Sequence, residues 1–419
     1  MKNKAPLSRN LTKIKNLKNI SMIIMDSEVK LAHFLLEIID QKLSLDSLEQ
    51  CSLRFISGLI PMGSQKFHEQ KVSISKVLAR VTYLASDNPA WYSFIISSGK
   101  LENLSVLQLK FASRDIQKDS KDILHFHNLS KLHKFTLDFK AHSLLSERNF
   151  LENFSLPPSL EDLSLNLTGF RFFLINENQA PYPQLFNRLQ KAKRVKALNL
   201  KINGNSAETA RFTCLLIKCF DSLETLNCSN IQKLSFFQEE TSEEKPLDFQ
   251  DFWTAITPSK ETLQSISVSV NEIIFPEDLR ALETGFPRLQ KLQLKESVSS
   301  ATELARLCQK IPSLTDVTLK GVKVTGEEKL KIFLDDMQGI PEGRNFELHL
   351  NVGNIKQGFL IDCLKKYIED LKVKGRLGMY FEEVEVEDVQ AFDEVSHMVN
   401  QKNCFEPFQM VAKIRGPSF

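Results

Sequence analysis

The chain has 419 residues, 42% hydrophobic and 25% charged, which excludes a disordered protein and calls for several domains or one elongated array. Its 54 Lys and Arg against 52 Asp and Glu leave a net charge of +2, too little to draw the whole chain onto nucleic acid or an anionic membrane. No apolar run reaches the roughly 18 to 20 residues that span a bilayer.

The N-terminus is basic. Lys2, Lys4, Arg9, Lys13, Lys15 and Lys18 all precede the first acid, Asp26. The apolar stretch Ile20 to Met25 is too short for the core of a secretory signal. Residues 1–26 therefore read as a flexible basic tail, with a mitochondrial presequence as the alternative reading. Residues 27–98 read as a helical N-terminal cap. Val29, Ala32, Leu36 and Ile39 recur at helical spacing, as do Val77, Leu78, Val81 and Leu84.

From about residue 99 a pattern of apolar-x-x-apolar-x-apolar recurs. It runs through Leu104, Leu107 and Leu109, then Leu132, Phe135 and Leu137, then Leu160, Leu163 and Leu165. It continues at Val195, Leu198 and Leu200, at Leu223, Leu226 and Cys228, and at Leu263, Ile266 and Val268. Further copies stand at Leu289, Leu292 and Leu294 and at Leu314, Val317 and Leu319, with weaker ones around Leu348 and Met379. Positions 107, 135, 163, 198, 226, 266, 292, 317, 348 and 379 are separated by 28, 28, 35, 28, 40, 26, 25, 31 and 31 residues. The spacing carries the signal, because an array of supersecondary units repeats at 20 to 50 residues.

The intervening residues read as helices. Prolines stand shortly before several copies, as in Pro157-Pro158-Ser159-Leu160, Phe286-Pro287-Arg288-Leu289 and Ile311-Pro312-Ser313-Leu314, where they end the preceding helix. Ser300 with Glu303, and Thr325 with Glu328, have the form of capping boxes. Pro276 suits a first helical turn and Gly285 a helix stop. A unit of strand, turn and helix cannot bury its own apolar side, so such units stack.

This pattern resembles the leucine-rich-repeat superfamily in its helix-containing, ribonuclease-inhibitor-like form, as an irregular and divergent member. The resemblance implies an α/β solenoid over residues 99–385, with about ten units, a curved parallel sheet inside and helices outside. In that family an Asn or Cys follows the strand. Asn203 and Asn271 fit that place, whereas Ala112, Lys140, Thr168, Ser297 and Val322 do not. Residues 386–419 would close the array as a C-terminal cap.

Two insertions interrupt the array. Residues 169–186 hold Phe170, Phe172, Phe173, Tyr182 and Phe186. Residues 232–253 hold Phe236, Phe237, Phe249, Phe252 and Trp253 beside Glu239, Glu240, Glu243 and Glu244. These rings either pack on neighbouring helices or anchor a partner. The acids Glu382, Glu383, Glu385, Glu387 and Asp388 read as a solvated edge.

No catalytic motif is present: no P-loop, no G-x-G-x-x-G after a strand, no G-x-S-x-G and no H-E-x-x-H. His125, His127, His133 and His142 lack Cys or carboxylate partners at metal spacing. Seven cysteines, at 51, 214, 219, 228, 308, 363 and 404, form no CxxC pair and sit mostly among apolar residues. They point to a reducing compartment, the cytoplasm or otherwise the nucleus. The expectation is a chain that is no enzyme and takes no cofactor or metal.

The x positions of each motif point away from the core and define an open face. Lys110, Asp138, Asn166, Lys201, Asn227, Lys295 and Lys320 stand there, and Phe172, Phe237 and Trp253 represent the insertions as candidate protein-binding residues. The expected function is a scaffold or adaptor binding another protein, without nucleic acid or a membrane span, as a monomer or within a hetero-complex. One alternative is the substrate receptor of a ubiquitin ligase, with 27–98 as its docking module, although no Leu-Pro opening marks one. A second alternative is a structural subunit of a larger complex.

Overall fold

The computed structural model describes residues 18–25, 49–56, 75–87, 101–112, 124, 126, 128–170, 182–203, 207–231, 249–270, 282, 285–295, 307–338, 344–353, 358–359, 362, 366, 374–382 and 408–414. The chain divides into two compact units, Met1–Gly204 and Asn205–Phe419.

Among the described residues the first unit carries the strands β1 Asn19–Met25, β2 Gln50–Ile56, β3 Val81–Ser86, β4 Val106–Ala112, β5 Lys134–Lys140, β6 Asp162–Thr168 and β7 Ala197–Asn203. Each pairs in parallel with the next in chain order. Its helices are α1 Ser75–Arg80, α2 Leu144–Asn153 and α3 Tyr182–Leu189. The second unit repeats this plan with β8 Thr225–Ile231, β9 Ser265–Val270, β10 Lys291–Lys295, β11 Asp316–Thr325, β12 Asn345–Gly353, β13 Lys374–Glu382 and β14 Phe408–Ile414. These too are parallel and in chain order. Its helices are α4 Ala207–Ile217, α5 Phe249–Ile256 and α6 Glu327–Gln338. Parallel neighbours need a crossover, which the segments between strands supply.

The apolar motif is the register of this sheet. Leu107, Phe135, Leu163 and Leu198 are consecutive register partners, and so are Leu226, Ile266, Leu292 and Val317. All are at most 1% exposed. Burying a Leu side chain is worth roughly 1.5–3 kcal/mol, and here each ring or branch is covered only because a neighbouring repeat is present. In the first unit an aromatic cluster fills the space between sheet and helix. Phe135 lies 4.5 Å from Phe126, and Phe139 of β5 lies 5.1 Å from Phe150 of α2, whose own ring is 4.7 Å from Phe154. Phe170 joins it at 5.3 Å from Phe150.

Hydroxyl side chains tie one strand-and-helix repeat to the one before it within each unit. Ser159 Oγ donates to the Leu132 carbonyl at 2.8 Å, Thr262 Oγ1 to Leu223 at 2.7 Å and Ser313 Oγ to Leu289 at 2.8 Å. Each hydroxyl residue immediately precedes the first apolar residue of its own motif, and each acceptor is the first apolar residue of the preceding one. Arginine does related work at helix ends. Arg188 donates to the carbonyls of Leu151 (2.6 Å) and Phe154 (3.0 Å) at the end of α2, and Arg344 to those of Pro312 (2.9 Å) and Cys308 (3.3 Å). Such donors meet the carbonyls that a helix end leaves without intrahelical partners.

Several elements differ from the sequence reading. Within 27–98, where a helical cap was expected, β2 and β3 extend the parallel sheet and α1 has only six residues. The register shifts between Cys51 and Ser52, so Cys51 pairs with Val81 while Ser52 pairs with Tyr83. Thr82 is the extra residue of this bulge. Val81 and Leu84, both fully buried, therefore stand three apart on a strand, and that spacing imitates a helix. The stretch containing Val29, Ala32, Leu36 and Ile39 lies outside the described residues. Asn19–Met25, expected in a flexible tail, is a strand tied by an ion pair of Lys18 with Glu49 at 2.9 Å. Phe408–Ile414, within the expected C-terminal cap, is a further strand.

Helix α6 also starts differently from the expected box. Thr325 closes β11, and the Gly326 carbonyl accepts from Leu330 N at 3.1 Å, so Gly326 is the residue that opens the helix. A capping box does occur at α2, where Ser143 and Ser146 satisfy each other's backbone N–H. The segment with Ser300 and Glu303, and that with Pro276 and Asn271, lie outside the described residues.

Gly169 follows β6 with φ +74°, and a Cβ there would collide with the Ala141 carbonyl oxygen. Gly326 has φ +96° with open space around it. Gly169→Ala is expected to cost about 3 kcal/mol or more, from strain plus overpacking. Gly326→Ala should cost about 1–2 kcal/mol, from the backbone alone. Denaturant unfolding of the two variants checks the order; equal losses would contradict the close approach at Gly169.

Candidate functional site

One face of each sheet is apolar and covered; the other is polar. Burial along β5 alternates, with Phe135, Leu137 and Phe139 buried and Thr136 and Asp138 partly exposed. The same alternation holds in β6 and β7. The polar positions fall into rows across the strands because the register is unbroken from β4 to β7.

The sequence-predicted residues of the first unit form one such row. Lys110, Asp138, Asn166 and Lys201 are consecutive register partners. Lys110 is 75% exposed at its side chain, with Nζ 3.9 Å from Asp138 Oδ2. Asn166 Oδ1 is covered and has no hydrogen-bond partner among the described residues. Lys201 is exposed. A second pair stands four residues back along β5 and β6, where Lys134 Nζ donates to Asp162 Oδ2 at 2.6 Å. Partly exposed pairs of this kind contribute at most about 1 kcal/mol, so they fix side-chain positions more than they stabilise the fold. The Tyr83 hydroxyl donates to Gln108 Oε1 at 2.8 Å, ordering the row beside it.

In the second unit Asn227 is exposed and heads a row that continues through Ser267, Gln293, Thr318, Glu347, Arg376 and Gln409. Ser267 Oγ donates to Gln293 Oε1 at 3.2 Å. The next row places Ser269, Lys295, Lys320 and His349 in direct succession. Lys295 and Lys320, read separately in the sequence, are thus register neighbours. Lys374, Arg376 and Lys413 stand on the same face by register, and the sequence reading missed all three. Their motif copy is weak, but counting one and three residues back from Leu377 would have marked Arg376 and Lys374.

The aromatic candidates divide. Phe172 and Phe237 lie outside the described residues. Trp253 is 2% exposed in α5, with its ring 5.1 Å from Phe252, so it is a packing residue and presents nothing at the surface. The apolar face of α5 faces the second unit's interior, which is why an aromatic cluster in an insertion became core here. Phe170 and Tyr182 are buried as well. The sequence had left packing and binding open for these rings, and the described ones pack.

His133 and His142 are exposed, whereas His125 and His127 lie outside the described residues. Among the described residues no group of three or more His, Cys, Asp or Glu could hold a metal ion. No described helix is long and apolar enough to cross a membrane. Cys51, Cys214, Cys219, Cys228 and Cys308 are buried thiols. Burial pushes the Cys51 thiol up to about 11 and those of Cys214, Cys219 and Cys308 to about 12. No family model and no curated protein matches this sequence.

These thiols remain protonated in the fold, whereas an unfolded thiol titrates near 9. The folded pKa is raised, so the stability they contribute is full below about pH 9 and drains away as pH rises toward 11 to 12. Folded protein at pH 8 should leave Cys51, Cys214, Cys219 and Cys308 unlabelled by an aromatic disulfide reagent, and unfolded protein should label all four. Rapid labelling of these residues in folded protein would contradict their burial.

Proposed function

We propose that this chain is a non-catalytic protein–protein interaction scaffold of the leucine-rich-repeat type, working as an adaptor in the cytoplasm. The observation that carries the reading is the register. Consecutive parallel strands in each unit set polar side chains into continuous rows on one face, above a core that holds them in place. Such a surface offers many weak, ordered contacts to an extended partner and, among the described residues, no convergent set of reacting groups. The mixed charges and amides of the rows suit a polypeptide. The buried thiols support a reducing compartment.

The two alternatives remain readings of the same surface. As a structural subunit of a larger complex, the chain would use the rows as a permanent interface. As a ubiquitin-ligase receptor it would need a separate docking module in 27–98, and no described residue favours one, since β2 and β3 there continue the sheet.

Cross-linking mass spectrometry on the complex purified from its native source tests the proposal. Amine cross-links to a partner should concentrate on Lys110, Lys140 and Lys201 of the polar face. Those from Lys218, Lys329 and Lys331, at the helices, should be few. Cross-links confined to the helix lysines, or turnover of a small molecule by protein that holds no partner, would overturn it.

A further inference from the structure

The near-zero charge of the whole chain hides a local excess. No Asp or Glu stands between Glu177 and Glu208, and the 30 residues between them hold six cations. Two of the six have other places. Arg188 holds the carbonyls of Leu151 and Phe154, and Lys201 belongs to the polar face. The other four, Lys191, Lys193, Arg194 and Lys196, fill the turn from α3 into β7. All four are exposed, while Leu189, Ala192 and Val195 beside them are at most 1% exposed. Ala192 N donates to Leu189 O at 2.9 Å and Val195 N to Ala192 O at 3.3 Å. The apolar residues thus fix the turn and leave the charged ones to solvent.

This turn departs from the plan of other repeats. Arg194 stands immediately before the first apolar residue of its motif, the place from which Ser159, Thr262 and Ser313 bond back to the preceding repeat. Arg194 makes no such bond. Lys191, Lys193 and Arg194 have no side-chain hydrogen bond or ion pair among the described residues. The fold gives up a rung here and carries three cations that hold nothing within it.

The size of the patch decides which anion fits. Consecutive Cα atoms are 3.8 Å apart, so Lys191 and Arg194 lie within about 11 Å of each other. The corresponding turn of the preceding repeat has Pro158, Ser159 and Glu161, and Glu161 is exposed. Its carbonyl accepts from Lys196 N at 2.8 Å, so this acid adjoins the cluster. The basic surface is therefore one turn wide on that side. A bilayer covers far more than one turn and takes up apolar side chains, but the exposed large apolar residues among those described, Ile23, Leu144 and Ile332, stand elsewhere. Single-stranded nucleic acid wants aromatic platforms, and residues 190–197 contain no ring. A phosphate monoester instead gathers about two charges and three acceptor oxygens at one point. Arg194 can meet two of those oxygens at once and the lysines the third. A carboxylate offers one charge and two oxygens, and leaves part of the cluster unused.

We propose that the Lys191–Arg194 turn docks a phosphate monoester carried by the partner polypeptide, on a phosphorylated Ser, Thr or Tyr. This goes beyond the scaffold reading by adding a contact away from the polar face, and it rests on that reading for the partner being a polypeptide.

The test uses the full chain and a fluorescent twelve-residue peptide of Gly and Ala with one central phosphoserine, read by anisotropy at low and at physiological salt. Wild-type protein should bind it about fivefold or more tighter than the same peptide with Glu in the centre, and salt should weaken the binding. Lys191→Gln with Lys193→Gln and Arg194→Gln should weaken binding about tenfold or more. The equivalent turn of the second unit is the control, and Arg288→Gln with Lys291→Gln should change binding less than about twofold. Arg194→Ser should weaken binding about threefold or more without lowering the melting temperature, because Ser restores the rung. That variant keeps the test readable should the triple variant fail to fold.

Equal binding of the phosphoserine and Glu peptides would overturn the proposal, as would binding by the Arg194→Ser chain equal to wild type or equal losses in the two turns. Tighter binding, per phosphate, of an oligothymidylate would overturn it in favour of nucleic acid. Tighter binding of phosphatidylcholine vesicles carrying phosphatidylinositol bisphosphate would overturn it in favour of a lipid surface. The native complex separates this failure from that of the scaffold reading. If wild-type protein ignores the phosphopeptide but still cross-links a partner through Lys110, Lys140 and Lys201, the scaffold stands and the phosphate site falls.

Discussion

Everything in each unit depends on apolar side chains that no single repeat can bury. Leu107, Phe135, Leu163 and Leu198 stand in one row of the first unit as consecutive register partners, and all are buried. Removing water from such a row is worth several kcal/mol in sum, but only if every strand keeps its register. A slip by one residue would turn Phe135 outward and Thr136 inward, so the apolar row also fixes the polar one. The functional face is thus a by-product of the core: the force that hides the leucines sets Lys110, Asp138, Asn166 and Lys201 in line.

A row of leucines alone would leave the turns between helix and strand undefined. The hydroxyl rungs from Ser159, Thr262 and Ser313 reach back one repeat and satisfy carbonyls where the chain enters each strand. Ser259 does so twice, donating to Phe220 O at 3.0 Å and accepting from Leu223 N at 3.1 Å while only 1% exposed. Buried backbone groups left without partners cost roughly 1–3 kcal/mol each, so these small side chains matter beyond their size. Arg188 and Arg344 perform the corresponding task at helix ends. Burial lowers the Arg188 pKa, with Glu152 opposing the shift.

The strands from β4 to β11 were legible because their Leu-x-x-Leu-x-Leu spacing states both the burial period and the repeat length. The strands β1 to β3 were hidden by different means. Cys51, Leu53 and Phe55 alternate without a leucine triplet, and the bulge at Thr82 turns a period of two into a spacing of three. In β11 Gly321 is the extra residue at a register shift between Lys320 and Val322, and the strand continues to Thr325 beyond the motif. The candidate face was legible residue by residue, since alternation tells which side chains leave the core. Adjacency was not, because the loop between two strands has no fixed length. Only the register brings Lys295 beside Lys320, and only the register adds Lys374, Arg376 and Lys413. Trp253 shows the limit from the other side: a ring in an insertion can anchor a partner or fill a core, and its helix settles which.

Parallel pairing of consecutive strands makes both the buried rows and the polar ones. Amide–amide nuclear Overhauser effects on perdeuterated protein measure it directly. Contacts are expected between the amides of β5 and β6 and of β6 and β7 in the register that joins Leu137, Leu165 and Leu200, and between β10 and β11 in the register that joins Leu292 with Val317. Contacts that run antiparallel, or that join strands not adjacent in the chain, would contradict it.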